Sequence, residues 1–188
     1  MDDLKKINLF LALSPAVIII LVIALVILVS DSSSTNSSMM VAGEFTPPFK
    51  DNVNFTITSD FGSRTDPLNG SEAFHTGIDL SAPEGTEIVA SASGVVVETG
   101  YSATGLGNYV YIEHNVDGKI YYSAYGHMLD NSIVVSEGEP VEAKQKIGVI
   151  GTSGRSTGIH CHFSLMSPKL KFDKTNLIDP KYIFESEE

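Results

Sequence analysis

The distribution of apolar and polar positions divides the chain into three stretches. Residues 9–29 are apolar except for Ser14 and Pro15, and 21 helical residues span roughly 30 Å, the thickness of a bilayer's hydrocarbon core. Residues 30–38, SDSSSTNSS, contain no apolar side chain and are typical of a flexible tether. From Asn52 onward, short β-like runs alternate with Gly, Asn, Asp and Pro at spacings typical of all-β domains.

The third stretch predicts an all-β domain over residues 51–188, because no long amphipathic helical period occurs after Lys50. The predicted strands are residues 55–58, 87–90, 94–99, 109–114, 119–124, 132–135, 147–150 and 159–165.

The apolar run at residues 9–29 predicts one transmembrane helix. Lys5 and Lys6 precede it and no Lys or Arg follows until Lys50, so the positive-inside bias places residues 1–8 in the cytoplasm and the β domain outside the cell. A cleaved signal peptide is the alternative, but the run is longer than a signal-peptide core and lacks a clear small-x-small cleavage site. We expect a retained anchor, with residues 30–50 as a flexible linker.

Composition narrows the function classes. The formal net charge of -11 disfavours nucleic-acid binding. The single cysteine, Cys161, excludes an internal disulfide, and a domain of about 140 residues buries enough core without one. We expect Cys161 to be a small buried hydrophobe rather than a nucleophile or a metal ligand.

Candidate chemistry is concentrated in two segments. In IHCHF at residues 159–163, His160 and His162 are two residues apart and therefore share one face of a strand. Upstream, His75 and Asp79 place an imidazole and a carboxylate four residues apart. With one histidine of the pair they make three ligands, which leave the fourth position of a tetrahedral zinc site open for water. Alternation alone leaves open which histidine of the pair is the ligand.

Two further histidines differ in their surroundings. His114 shares a strand face with Val110 and Ile112 and is predicted to be a packed core residue. A turn at residues 115–118 is expected to join that strand to the next one as a hairpin. His127 follows the end of this second predicted strand, where a loop meets a rigid sheet, a favourable place for chemistry.

Six segments, in this order, resemble the lysostaphin-like zinc metallopeptidases, a family of bacterial cell-wall endopeptidases. They are SDFGSR at 59–64, FHTGIDLSAP at 74–83, GNYVYIEH at 107–114, YGH at 125–127, GVIGTSGRSTG at 148–158 and IHCHF at 159–163. The resemblance implies antiparallel sheets that form a groove, a fold of the barrel-sandwich-hybrid type. It also implies that the substrate is a stem or cross-bridge peptide of peptidoglycan, with either a glycyl-glycine or a D-alanine-containing bond as the target.

The resemblance also assigns roles. It implies that His75, Asp79 and His162 hold one zinc ion per chain, and that His127 and His160 are catalytic histidines that do not bind the metal. Hydrolysis is then expected to proceed through a zinc-activated water, with the two catalytic histidines handling protons.

The candidate substrate-binding residues are Arg64, Ser153 and Arg155. Arg64 lies in the FGxR element, where substrate contact, loop anchoring and an ordinary surface salt bridge all remain open. Ser153 and Arg155 belong to the glycine-rich run at residues 151–158, which permits close backbone approach and is expected to form a groove wall.

The sequence departs from the family near the second histidine pair. Ile159 and Cys161 stand where the family usually has Pro and Leu, and Ser164 stands where Glu is frequent. None of these three positions is expected to touch a ligand.

The main alternative is a catalytically inactive peptidoglycan-binding or activator module of the same fold. Relatives of that kind lack ligands or catalytic histidines, whereas all five positions are intact here. A histidine phosphocarrier would need cytosolic partners, and the predicted placement of the β domain outside the cell argues against it. A closed structural zinc site would recruit a fourth protein ligand. The sequence therefore favours a membrane-anchored zinc endopeptidase, with an oligomeric state that the residues leave undetermined.

Overall fold

The computed structural model describes residues 45–183, and they form an all-β fold. The predicted cytoplasmic segment, the predicted transmembrane helix and most of the predicted linker lie outside the described residues. Between residues 45 and 183, no helix has the length and apolar character needed to cross a bilayer.

The described part of the chain contains twelve strands and one short 3₁₀ helix. The strands are β1 (Thr56–Ser59), β2 (Gly62–Thr65), β3 (Glu72–His75), β4 (Ile78–Ser81), β5 (Glu87–Val89), β6 (Gly94–Ser102), β7 (Gly107–Val116), β8 (Lys119–Met128), β9 (Pro140–Val141), β10 (Lys146–Val149), β11 (Cys161–Met166) and β12 (Leu177–Ile178), and the 3₁₀ helix is Pro180–Ile183.

Seven of the eight predicted strands are present with shifted ends, and the prediction of a strand at residues 132–135 is wrong. That segment makes one backbone hydrogen bond to β10, from Val134 N to Ile147 O, and the hydroxyl of Ser132 bonds the carbonyl of Leu129. A single bond does not make a ladder, so the segment is irregular. Sequence patterning also missed five short strands, β2, β3, β4, β9 and β12, which have too few residues to establish a period.

One antiparallel sheet organises the molecule. Its strand order is β1-β4-β11-β8-β7-β6-β9, with β12 also paired to β11. Two ribbons, β5 with β10 and β2 with β3, complete the described fold. The core contains side chains of the large sheet and of the β5–β10 ribbon, among them Val96, Ile112, Tyr125, Phe163, Ile88 and Ile147.

The packed region begins inside the segment predicted as a linker. Phe45 and Phe49 are buried in the core. The backbone there is also held, since Thr46 N donates to the carbonyl of Ser91 and Val89 N donates to the carbonyl of Pro48. The folded domain therefore starts before residue 51, because two aromatic side chains upstream of that boundary supply core volume.

Strand alternation gives the large sheet one apolar and one polar face near its centre. In β11, Cys161 and Phe163 belong to the core, as expected, whereas His162 lies on the opposite face. Cys161 is a buried free thiol, and burial raises its pKa. His114 is also buried, which confirms the prediction of a packed core histidine.

Candidate metal centre and active-site groove

Strand pairing brings the first two candidate ligands together. Asp79 in β4 and His162 in β11 are directly opposite each other in the antiparallel register. Directly opposed residues have their Cβ atoms only about 5 Å apart on a shared face. His75 ends β3 and reaches the same point through the turn that leads into β4. That turn passes so close to β11 that a Cβ on Gly77 would lie 2.2 Å from the carbonyl oxygen of Phe163, so only glycine fits.

Three potential ligand atoms converge at this point. Asp79 Oδ1 is 3.0 Å from His75 Nε2 and 3.1 Å from His162 Nδ1, and the two nitrogens are 3.0 Å apart. A tetrahedral zinc ion with ligand bonds of about 2.0–2.1 Å requires ligand atoms about 3.3 Å apart. The observed triangle fits that requirement to within a few tenths of an ångström.

Hydrogen bonds on the outer side of the rings direct lone pairs into the triangle. His75 Nδ1 donates to the carbonyl of Asp60 at 2.8 Å, which leaves a lone pair on Nε2 of the neutral ring. His162 Nε2 is 2.9 Å from the hydroxyl of Ser164; when that hydroxyl accepts, Nδ1 also presents a lone pair. Two lone pairs and a carboxylate oxygen repel one another unless a cation or a proton lies between them. The donor set therefore suits zinc.

Electrostatics keeps these groups competent as ligands. Burial raises the pKa of Asp79, but hydrogen bonds that the rings of His162 and His75 donate when protonated outweigh it and hold the pKa well below its ordinary value. A bound metal ion would take the place of those protons. Burial lowers the pKa of His162. A charged carboxylate and neutral imidazoles are the forms that bind metal.

His127 reaches this face through a β-bulge. In the β7–β8 ladder, Val110 pairs with Tyr125 and Asn108 pairs with Met128, so β8 carries one extra residue between these pairs. His127 has a φ of 59°, in the left-handed region that side chains rarely adopt. The bulge interrupts the alternation of β8, because Tyr125 and Met128 are both core residues. The sequence-based expectation that His127 follows the end of the strand is therefore wrong.

The two candidate catalytic histidines lie side by side, with ring centroids 4.6 Å apart. His127 Nδ1 donates to the carbonyl of Ser153 and His160 Nδ1 donates to the carbonyl of Gly158, each at 2.8 Å. Both rings thus keep Nε2 available, and His160 Nε2 is 3.5 Å from Asp79 Oδ1. Burial lowers the pKa of His127 to about 4, so this ring is neutral at pH 7.

Arg64 lies against the candidate metal centre. Its Nη1 donates to Asp79 Oδ2 at 3.1 Å and to the hydroxyl of Ser59. Ser59 pairs with Asp79 across β1 and β4. Arg64 therefore contacts the carboxylate oxygen that does not face the two histidines.

Ser153 and Arg155 make their contacts within the protein. The hydroxyl of Ser153 accepts from Asn108 N at 2.9 Å and donates to the carbonyl of Met128 at 2.6 Å. Arg155 Nη2 bonds both carboxylate oxygens of Asp66, at 2.8 and 2.7 Å, and this ion pair joins the β2–β3 loop to the glycine-rich run. Substrate binding by these residues and by Arg64 remains a prediction.

The glycine-rich run was expected to form a groove wall, and it contributes Arg155 to the lining of a groove beside the candidate metal centre. A Cβ on Gly154 would lie 2.2 Å from Gly107 N, so the run packs on the start of β7 at backbone distance. The groove has a volume of about 340 Å³. Its lining includes Arg64, His75, His127, Arg155, His162, Tyr111 and Phe172.

Three contributing residues were not foreseen from the sequence. Ser164 was expected not to touch a ligand, yet its hydroxyl contacts His162. Strand alternation offered a signal, since residues two apart share a face. Asp66 carries no comparable local signal, because its partner Arg155 reaches it only through tertiary folding. Ser59 lies close in sequence to its partner Arg64, in the segment at residues 59–64, but residue type alone does not predict their contact.

The chain is similar in sequence to known peptidases. The sequence profile of Peptidase family M23 matches residues 73–180. The peptidoglycan DD-endopeptidase ShyA of Vibrio cholerae is 39% identical over 111 residues, which are 58% of this chain and 24% of that protein. The matched regions span only 22% to 31% of the first three curated relatives.

Solved structures show the same fold. The catalytic domain of lysostaphin from Staphylococcus simulans is 31% identical with a TM-score of 0.60, over 72% of this chain and 95% of that domain. A zinc-containing peptidase from Vibrio cholerae is 30% identical with a TM-score of 0.60, over 74% of this chain and 39% of that protein. The lysostaphin-like fold expected from the sequence is therefore confirmed for the described residues.

Proposed function

The chain belongs to peptidase family M23, and we propose that it is a zinc endopeptidase that hydrolyses peptide cross-links of bacterial peptidoglycan. The observation that carries this proposal is the convergence of His75 Nε2, Asp79 Oδ1 and His162 Nδ1 on one point. Among the described residues, these three form the group of side chains spaced to hold a metal ion. Two relatives named as peptidoglycan DD-endopeptidases support the choice of substrate.

His75, Asp79 and His162 would hold one zinc ion. When bound there, the ion lowers the pKa of a water molecule and polarises a carbonyl group as a Lewis acid. Three protein ligands are the number that catalytic zinc sites use, because the fourth position stays open.

His127 and His160 would handle the protons of hydrolysis. Each ring directs its Nδ1–H into a backbone carbonyl and keeps Nε2 unprotonated while neutral. One ring can take a proton from the attacking water, and the resulting imidazolium can return it to the leaving amine. Their adjacency lets a neutral ring and a charged ring cooperate within one groove.

The substrate would be a stem or cross-bridge peptide lying in the groove. Residues 9–29 would anchor the chain in the cell membrane, with residues 1–8 in the cytoplasm and the β domain at the cell surface. Such an anchor would confine the enzyme to the wall above its own membrane.

Digestion of purified cell walls tests this function. Walls of known cross-bridge chemistry are incubated with the purified chain, and new amino termini are identified by mass spectrometry. We expect one zinc per chain and release of amines that stops when a chelator is added. A folded, zinc-loaded chain that leaves every stem and bridge peptide intact would contradict the proposal, and wall binding without cleavage would support the inactive-module alternative.

A further inference from the structure

The two oxygens of Asp79 have different partners. Oδ1 faces the histidine nitrogens, at 3.0 Å from His75 Nε2 and 3.1 Å from His162 Nδ1. Oδ2 accepts a hydrogen bond from Arg64 Nη1 at 3.1 Å. A carboxylate that binds a metal through both oxygens fills two coordination positions, whereas this arrangement offers the metal one.

A second hydrogen bond helps to hold Arg64 in this position. It lies in β2, and the Nη1 atom that contacts Asp79 also donates to the hydroxyl of Ser59 in β1. Since Ser59 pairs with Asp79 across β1 and β4, three elements fix the guanidinium against the carboxylate. Its side chain is only 29% exposed, so the contact is partly shielded from water.

A guanidinium beside a cation site is electrostatically unfavourable, because both carry positive charge. Its placement therefore does not serve metal affinity. Its contact with Oδ2 does, however, compete directly with chelation by that oxygen. The charge-assisted hydrogen bond is strong enough to keep the carboxylate in one orientation.

We propose that Arg64 is a positioning residue that keeps Oδ2 of Asp79 in a hydrogen bond. Asp79 then binds the metal through Oδ1 alone, and a coordination position stays open. This inference rests on the proposed function, because it concerns the zinc of that same site. Without Arg64, the carboxylate rotates to bind through both oxygens, and the position needed for water and substrate is filled.

The experiment uses the full-length chain purified in detergent and loaded with zinc or with cobalt(II), whose d–d absorption bands report coordination number. Arg64→Met removes the donor. Ser59→Ala retains the charge but loosens its anchor. Arg155→Met is the matched control for the metal measurements, since it removes an arginine that lines the same groove and bonds Asp66 instead.

We expect Arg64→Met to keep one metal ion per chain, with equal or tighter affinity, and to show weaker cobalt bands as coordination number rises. Its kcat on wall peptides should fall about tenfold or more, with KM unchanged. Ser59→Ala should change in the same direction by a smaller factor. Arg155→Met should leave the cobalt spectrum as in the wild type.

Three results would overturn the inference. A raised KM with an unchanged cobalt spectrum would make Arg64 a substrate contact, loss of the metal would make it a support for affinity, and no change would make it a surface ion pair. If Arg64→Met fails to fold, the spectrum and kcat of Ser59→Ala decide the question. A wild-type chain that holds no zinc or cleaves no wall peptide would instead contradict the proposed function.

Discussion

His114 and His162 are both buried on the same sheet, on opposite faces, and they differ in the partners of their ring nitrogens. His114, on the core face of β7, has both ring nitrogens paired: Nδ1 donates to the carbonyl of Ser93 at 2.9 Å, and Nε2 is 2.7 Å from the hydroxyl of Ser123. His162, on the groove face of β11, has Nε2 paired with the hydroxyl of Ser164. Its Nδ1 instead faces His75 and Asp79, two groups that are themselves ligand types.

Burial is therefore not what distinguishes the candidate site. Both histidines are nearly inaccessible, and burial lowers the pKa of both. A buried polar group whose partners are complete stabilises the fold, whereas one whose partners are other acceptors requires a cation. Four predictions test this contrast, beginning with the largest expected effect.

Replacing His162 with alanine should abolish metal binding, whereas His114→Gln should not change it. With the triangle reduced to two ligands, activity should fall by more than the roughly 10²- to 10⁴-fold that loss of a general acid–base group costs. His114→Gln should lower the free energy of unfolding by about 1–3 kcal/mol, because a buried hydrogen bond is lost. Elemental analysis, turnover and denaturant titration check these outcomes, and stoichiometric zinc in His162→Ala would refute the ligand assignment.

Replacing His127 or His160 with alanine should separate metal binding from proton transfer. Each variant should keep one zinc per chain and lose on the order of 10²- to 10⁴-fold in kcat. The reason is that their Nδ1 atoms bond backbone carbonyls and not the triangle. Zinc content and wall-digestion rates are measured on the same preparations. Loss of zinc from either variant would show that the replaced residue is needed for metal binding.

Removing a hydroxyl from each histidine gives a matched pair. Ser164→Ala leaves His162 Nε2 without its partner and should weaken zinc affinity by about 10- to 100-fold. Ser123→Ala takes the corresponding hydroxyl from His114 and should reduce stability alone. Competition with a chromophoric chelator measures the affinities, and equal affinities in the two variants would show that Ser164 does not orient the ligand.

The smallest effect is a pH dependence of stability. Burial lowers the pKa of His114 to about 4, from an ordinary value near 6.5. Below pH 6.5 His114 therefore binds a proton in the unfolded chain but not in the folded chain. The free energy of unfolding is lowered as the pH falls from about 6.5 to about 4. Between pH 8 and pH 5, this group should cost about 2 kcal/mol.

Comparison with His114→Gln isolates this contribution, because the other titrating groups are the same in both chains. The free energy of unfolding of the wild type should fall more steeply between pH 8 and pH 5 than that of the variant. Parallel slopes from denaturant titrations would show that His114 is charged within the fold.

Sequence reasoning identified much of the site because its signals are local. Each signal lies within one short segment of the chain. They are the two-residue spacing of His160 and His162, the four-residue spacing of His75 and Asp79, and the apolar neighbours of His114. The assignment of His162 as the ligand came from family resemblance, since alternation treats the two histidines of the pair alike. In the structure, His162 is the one that pairs across the sheet with Asp79.

The sequence by itself determined that the domain is all-β, that its candidate zinc ligands number three, as in catalytic sites, and that His114 lies in the core. Tertiary structure decided that an extra residue in β8 turns His127 toward the groove, that Arg64 meets the second oxygen of Asp79, and that Ser164 contacts Nε2 of His162. The physical reason is the range of each interaction. Hydrophobic periodicity is read within a few residues, whereas bulges, ion pairs and ligand orientation depend on strands that come together only when the chain folds.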